Sequence, residues 1–176
     1  MAAISIAGPV YTVMMAIGTM LGGGGCVLIA RTLGEKDDSK VKLYSSLCCW
    51  GSLAFGLLFT VLCLLNSKAV VELFLKEPEA LALGQEMISL LVLSGPFLGL
   101  YHIGSNFLQA AGNASLATLV SMLRQGIFFL PLLYLLNAAF AVKGNVAAHV
   151  VADIGAAAVA VILALRQYRI LKASET

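Results

Sequence analysis

The chain has 176 residues, of which 60% are hydrophobic and only 11% are charged, and its mean hydropathy is +0.96. These values lie far from those of soluble domains and predict an integral membrane protein whose surroundings are the lipid bilayer. The formal net charge of +2 is too small to favour nucleic acid as a partner. The length leaves room for about five spanning helices with their loops, and none for a second domain.

Five apolar segments follow one another along the chain, and each is long enough to span a bilayer. We predict that residues 1–176 form an all-α, polytopic helical bundle, arranged as a single transmembrane lobe. The predicted spans are residues 3–31, 43–65, 81–111, 116–136 and 146–165. Between the second and third spans, a short helix on the membrane surface is predicted to end before Pro78.

Small side chains recur at every fourth position of the first span. Gly18, Gly22, Cys26 and Ala30 form this ridge. Small residues let membrane helices approach closely, so the ridge is predicted to pack against another helix. We expect that helix to belong to a second lobe or to a second copy of the chain.

The third span contains Gly95 and Pro96, which predict a bend near its middle. After the bend, His102, Asn106 and Gln109 share one helix face because they are spaced by four and seven residues. Hydrogen bonds between helices are the first interpretation of this polar face. Orientation of a substrate is the alternative.

The fourth span follows a polar turn, and from Gly112 onward it reads GNASLATLVSMLRQGIFFLPLLYLL. This segment resembles the loop and penultimate helix that close the second half of the multidrug and toxic compound extrusion (MATE) transporters. Leu123-Arg124-Gln125-Gly126 and the following Pro131 carry most of the resemblance. Arg124 lies near the predicted start of the span, so we interpret it as an anchor whose long side chain reaches the headgroup layer.

The fifth span contains one acidic residue, Asp153, with His149 one turn before it on the same face. An ionised carboxylate in hydrocarbon costs at least about 2.5 to 3.5 kcal/mol, so Asp153 is expected to face the bundle interior or a wet cavity. A packing role is the alternative for Asp153. For His149 the alternative is simple contact with water near the interface.

Lys and Arg residues are distributed unevenly between the two sides that five spans define. Arg31, Lys36, Lys40, Lys42, Arg124, Arg166, Arg169 and Lys172 share one side, and Lys68, Lys76 and Lys143 share the other. Positive residues favour the cytoplasm, so this bias of eight to three predicts a cytoplasmic carboxyl terminus in a plasma (inner) membrane. An amino terminus that starts outside without an export signal is unusual, and it predicts that a preceding helix is missing.

Motifs for catalysis are missing from the sequence. It contains no H-E-x-x-H, G-x-S-x-G, C-x-x-C or G-x-x-x-x-G-K-[ST] pattern, so a metalloprotease, a serine hydrolase and an ATP-driven pump are not favoured. The four cysteines lie in apolar runs and are predicted to be packing residues. We therefore predict that the chain is not an enzyme and needs no cofactor or metal.

The resemblance to MATE proteins implies a more specific function. These are secondary transporters of two six-helix lobes around a central cavity, and they export organic cations and drugs in exchange for sodium ions or protons. The chain is similar to most of one lobe without its first helix. The resemblance therefore implies part of a cation-coupled efflux transporter that is incomplete alone and pairs with a second lobe or a copy of itself.

Asp153, with His149 beside it, is the predicted binding site for the cationic partner, which would be a proton, a sodium ion or an organic cation. Neutral hydrogen bonds from Asn106, Gln109, Gln125 and Tyr134 are expected to orient the substrate. Two other functions stay open at this point. One is a small non-transporting membrane protein that mediates helix association, and the other is a relative of lipid-linked flippases.

Overall fold

A computed structural model describes the backbone of residues 2–72, 78–140 and 142–173, and the side chains of most of them. The described helices are α1 (Ala2–Gly34), α2 (Asp38–Leu65), α3 (Ser67–Glu72), α4 (Pro78–Leu91), α5 (Gly95–Ala110), α6 (Ala114–Met122), α7 (Phe129–Phe140) and α8 (Val142–Ala173). A 3-10 turn, Val92–Ser94, joins α4 to α5, and a π-helical turn, Leu123–Phe128, joins α6 to α7. The end of the predicted surface helix, just before Pro78, lies outside the described residues.

Five helical segments of the described chain are long and apolar enough to cross a membrane. They are Gly8–Gly34, Asp38–Leu65, Leu81–Ala110, Ala114–Ala138 and Lys143–Lys172. Large apolar side chains cover the outside, and on α2 Trp50 and Leu65 are 71% and 77% exposed, as expected of a surface that faces lipid. The prediction of an all-α membrane bundle with five spans is confirmed.

Helix α5 lies at the centre of the bundle, where it packs against α1, α2 and α8. Glycines make this central position possible. A Cβ atom at Gly99 would lie 3.1 Å from the backbone of Ser52 on α2, and one at Gly104 would lie 2.9 Å from the backbone of Ala160 on α8. Since backbones approach this closely only where side chains are absent, the glycines determine where α5 crosses its neighbours.

The ridge on α1 packs against α5 of the same chain. The expectation that it packs against a second lobe or a second copy of the chain was therefore wrong. Gly18 and Gly22 are buried, and an added Cβ atom would meet the His102 ring at Gly18 and the Asn106 amide at Gly22. Farther along, Cys26 is half-buried and Ala30 is exposed. Positions four apart turn by about 40° around a helix at each step, so a ridge of this spacing leaves its neighbour after two or three steps.

The bend between α4 and α5 has a specific polar contact. Pro96 has no N–H group, so it cannot donate the α-helical hydrogen bond to the carbonyl of Val92. The hydroxyl of Thr60 on α2 donates to this carbonyl at 2.6 Å instead, together with the backbone N–H of Gly95. A Cβ atom at Gly56, one turn before Thr60, would lie 2.9 Å from Pro96, so α2 passes directly beside the bend. The α-helix of the third span is therefore interrupted by a 3-10 turn at the predicted position, and a neighbouring helix supports the interruption.

Replacing the Thr60 hydroxyl should destabilise the bundle. We expect Thr60→Val to lower the free energy of unfolding by about 1 to 2 kcal/mol, because the buried Val92 carbonyl loses one of its donors. Thr12→Val is the matched control, since that exposed hydroxyl only bonds its own helix backbone. Unfolding of the purified chain in mixed micelles would measure both, and equal effects would contradict the role given to Thr60.

The close contact of α1 with α5 gives a second stability prediction. Gly22→Leu should prevent the two helices from meeting and lower the melting temperature of the chain in detergent, whereas Gly23→Leu should have little effect because nothing lies within 4 Å of a Cβ atom there. A thermal-denaturation assay on both variants checks this. If both variants melted at the same temperature, the conclusion that Gly22 packs against α5 within one chain would be wrong.

Candidate functional site

Asp153 lies deep inside the bundle. It is 1% exposed and stands ten residues after Lys143, where its membrane segment begins. At the helical rise this is about 15 Å from the start of the segment. The hydroxyl of Tyr11 on α1 donates to the carboxylate and lies 3.1 Å from each of its oxygens. A neighbouring helix therefore contacts the carboxylate inside the membrane-spanning part of the bundle.

Arg124 is the charged partner of Asp153, so the interpretation of Arg124 as an interfacial anchor was wrong. It is 3% exposed, and its Nε lies 3.8 Å from Oδ1 of Asp153. It stands ten residues after Ala114, the start of its membrane segment, or about 15 Å along a helix. That depth is too great for the side chain to reach the headgroups, and pairing with a buried carboxylate is the alternative that remains.

The guanidinium of Arg124 has further contacts around it. Its Cζ lies 4.7 Å from the centre of the Tyr101 ring, and Nη2 lies 3.4 Å from the sulfur of Met15. The buried Nη1 has no hydrogen-bond partner among the described residues. A guanidinium has five N–H donors, so the ion pair at 3.8 Å leaves most of its capacity unused.

The π-helical turn Leu123–Phe128 presents Arg124 to the interior. Pro131, three residues beyond the turn, cannot donate to the carbonyl of Ile127, and Gly126 is a weak helix former. These two residues loosen the α-helical hydrogen bonding locally, which explains why the wider turn forms here. Arg124 is buried while the next residue, Gln125, is exposed.

Aromatic rings border the acid on the other side. His149, one turn before Asp153, is stacked on Phe129 with ring centres 4.2 Å apart and planes at 30°. The Tyr11 ring lies 4.8 Å from the same imidazole in a tilted arrangement. The side chain of His149 is thus held against two aromatic rings, one turn before Asp153 on α8.

An open cleft of about 310 Å³ gives access to these groups. Its walls are formed by Tyr11, Met15, Arg124, Gln125, Phe129, Leu130, His149, Ala152 and Asp153. It combines one carboxylate, one guanidinium and several aromatic or aliphatic surfaces. Such a cleft can hold a positive group at the carboxylate while flat apolar parts of the same molecule lie against the rings.

The structure brings together three of the six residues predicted for the site. Asp153, His149 and Gln125 all line the cleft, whereas Asn106, Gln109 and Tyr134 are not among its described walls. The amide of Asn106 donates to the His102 carbonyl of its own helix at 2.8 Å. Gln109 is exposed, and Tyr134 is 81% exposed.

Sequence reasoning missed Tyr11 and the burial of Arg124. A usable signal was present, because Arg124 and Asp153 each lie ten residues inside consecutive membrane segments. Consecutive spans run in opposite directions, so two residues that are both near the middle of the bilayer come to similar depths. Ionised residues inside a membrane pair with one another, so the similar depth of Arg124 already favoured it as the partner of Asp153.

A family profile and curated relatives both match this chain to the same family of proteins. Residues 1–135 match the sequence profile of the family described as MatE. The multidrug export protein MepA of Staphylococcus aureus (strain NCTC 8325 / PS 47) is 35% identical over 121 residues, which cover 69% of this chain and 27% of MepA. The chain therefore spans about a quarter of the length of this curated relative.

Solved transporter structures share the fold. An outward-facing multidrug resistance MATE family transporter of the MOP superfamily superposes with a TM-score of 0.90 at 13% identity, over 97% of this chain and 39% of the transporter. An inward-facing structure of such a transporter gives a TM-score of 0.82 at 14% identity, over 99% and 43%. At these identities the likeness shows the fold alone.

The buried pair should behave as a unit in stability measurements. We expect Arg124→Met and Asp153→Leu each to lower the free energy of unfolding by about 3 to 5 kcal/mol, because each leaves a buried charge alone, and the double variant to regain most of the loss. Chemical unfolding in mixed micelles measures the cycle. The exposed pair Arg31 and Glu35 is the control, for which the same substitutions should cost less than about 1 kcal/mol. Additive losses at Arg124 and Asp153 would contradict the pairing.

Proposed function

This chain belongs to the MatE family of membrane transporters, and on that premise we propose that it forms part of a secondary active efflux carrier. The carrier would exchange an organic cation or drug for a proton or a sodium ion. Membership of this family supports the prediction that the chain is a transporter component and not an enzyme. Because the chain spans 27% of the length of MepA, we propose that further helices, from a second lobe or a second copy of the chain, complete the transport path.

One observation carries the proposal: a carboxylate that is 1% exposed borders an open cleft within a membrane-spanning segment. Acidic residues at this depth are costly and mark ion or substrate paths in membrane proteins. The cleft is also large enough for the flat part of an organic cation, which would lie against the rings of Phe129 and His149.

The mechanism follows from competition for Asp153. A carboxylate binds either a proton or another cation, so the coupling ion and the drug exclude each other at this site. If the carrier changes between inward-open and outward-open states, this exclusion links the two fluxes without a covalent step or a cofactor. Few directional polar groups border the rings, so we expect low selectivity among cations of similar shape.

Three of the predicted polar residues have a separate place in this proposal. Asn106, Gln109 and Tyr134 lie outside the walls of the cleft, and two of them are exposed. We propose that they form hydrogen bonds with the substrate along its path, where the remaining helices of the carrier enclose it. The alternative of a helix-association protein loses support, because Gly18 and Gly22 pack within the chain.

The proposed location is the plasma (inner) membrane, with the carboxyl terminus in the cytoplasm. With Arg124 counted as buried and not as a loop residue, seven Lys and Arg residues lie on the carboxyl-terminal side and three on the other. The bias that predicted the orientation is therefore kept after the correction.

Asp153→Asn tests the function directly. The amide keeps the size and hydrogen bonding of the side chain but cannot bind a proton or neutralise a cation. Drug efflux from cells that express the full-length protein should fall by about tenfold or more, and its dependence on pH or sodium should disappear. Glu86→Gln is the control, since Glu86 is an exposed acid whose carboxylate pairs with Lys143 at 2.6 Å. Unchanged efflux and unchanged ion dependence in Asp153→Asn would reject this function for the cleft.

A further inference from the structure

Arg124 is positioned between two different partners. On one side its Nε lies 3.8 Å from the Asp153 carboxylate, which is longer than a hydrogen bond. On the other side the guanidinium lies over the Tyr101 ring, 4.7 Å from its centre, and meets the Met15 sulfur at 3.4 Å. The cation is therefore already supported by groups that do not depend on Asp153.

We propose that Arg124 competes with the transported cations for Asp153. Arg124 pairs with the carboxylate in the empty site, and it stays on the Tyr101 ring when a proton or an organic cation occupies the carboxylate. This inference rests on the proposed function and assigns to Arg124 the control of affinity at that site. Arg124 acts through Asp153, so it is a positioning residue.

The ring that would receive the displaced cation is held firmly. Tyr101 is buried on the central helix α5, and its hydroxyl donates to Ser121 on α6 at 3.1 Å. A guanidinium over an aromatic face keeps favourable electrostatic contact after its carboxylate is lost, and it does so best in a site shielded from water. When Arg124 is displaced from Asp153, its guanidinium therefore keeps a favourable partner in the Tyr101 ring.

The competition gives the carrier a way to release its cargo. A lone buried carboxylate would attract any cation strongly because the surroundings screen charge poorly. With Arg124 beside it, a bound cation is opposed by a like charge, and the empty site is neutral. Arg124 thus lowers the affinity for the cation and for the proton together, which lets both leave.

The groups around the pair of Asp153 and Arg124 come from several elements. They are Tyr11 on α1, Ser94 on the 3-10 turn, Tyr101 on α5, Arg124 on the π-helical turn and His149 on α8 itself. Ser94 donates its hydroxyl to the carbonyl of Leu91. Arg124 is thus the permanent positive charge in this set, and its removal should change the pH dependence of binding most.

The test measures binding of radiolabelled tetraphenylphosphonium to the reconstituted chain between pH 5 and pH 9. In Arg124→Gln we expect the affinity at high pH to rise by about tenfold or more, and the pH at which half of the binding is lost to move upward by about one unit. Both changes follow from removing a positive charge next to the carboxylate. Arg124→Lys keeps a positive charge and should therefore move the pH midpoint less than Arg124→Gln does. Arg31→Gln is the matched control at an exposed arginine.

A second pair of variants tests the ring independently of the charge. Tyr101→Leu removes the support of the displaced guanidinium, so the affinity should fall by about threefold or more, in the direction opposite to that of Arg124→Gln. Tyr101→Phe keeps the ring and should therefore bind more tightly than Tyr101→Leu does. These two variants decide the question if Arg124→Gln does not fold.

The outcomes separate this inference from the proposed function. If Asp153→Asn abolishes binding while Arg124→Gln leaves the affinity and the pH midpoint unchanged, Arg124 is only structural and the cleft remains the cation site. Equal binding by Tyr101→Leu and Tyr101→Phe would also overturn the inference. If Asp153→Asn binds tetraphenylphosphonium normally, the proposed function fails and this inference fails with it.

Discussion

The cost of placing ionised groups in hydrocarbon determines how the parts of this bundle are joined. Asp153 and Arg124 come from different spans, and each is almost completely buried. Neither can be left alone inside the membrane, so α8 and the π-helical turn must meet, and Tyr11 brings α1 to the same point. One electrostatic requirement therefore connects three of the five spans.

Close backbone packing around α5 provides the frame for that contact. Gly99 and Gly104 allow α2 and α8 to cross the central helix, and Gly18 on α1 receives the His102 ring. The bend at Pro96 would cost a backbone hydrogen bond without the hydroxyl of Thr60. The hydrophobic effect does not drive apolar helices together in lipid, so the close fit of small residues and shielded polar groups helps to hold the bundle together.

Half of the predicted site was found in the cleft, and the difference has a physical cause. Asp153 and His149 were recognised because ionisable residues in an apolar span are rare and one helical turn separates them. Asn106 was grouped with them on polarity alone, yet its amide bonds within α5. Helical spacing shows which residues share a face, but it does not show which neighbour that face meets. Tyr11 was missed for a related reason. A single tyrosine in a long apolar span does not show which residue of another helix its hydroxyl contacts.

The sequence by itself determined the class of the protein, the number of spans, the bend at Gly95 and Pro96, and the resemblance that led to the family. All of these depend on local composition, run length and motif, which need no knowledge of neighbours. Only the tertiary structure decided that the α1 ridge packs inside the chain and that Arg124 lies in the bundle interior, where it pairs with Asp153. Those features depend on the rotation and depth of each helix relative to the others. Contacts across the bundle set both, and no single span contains that information.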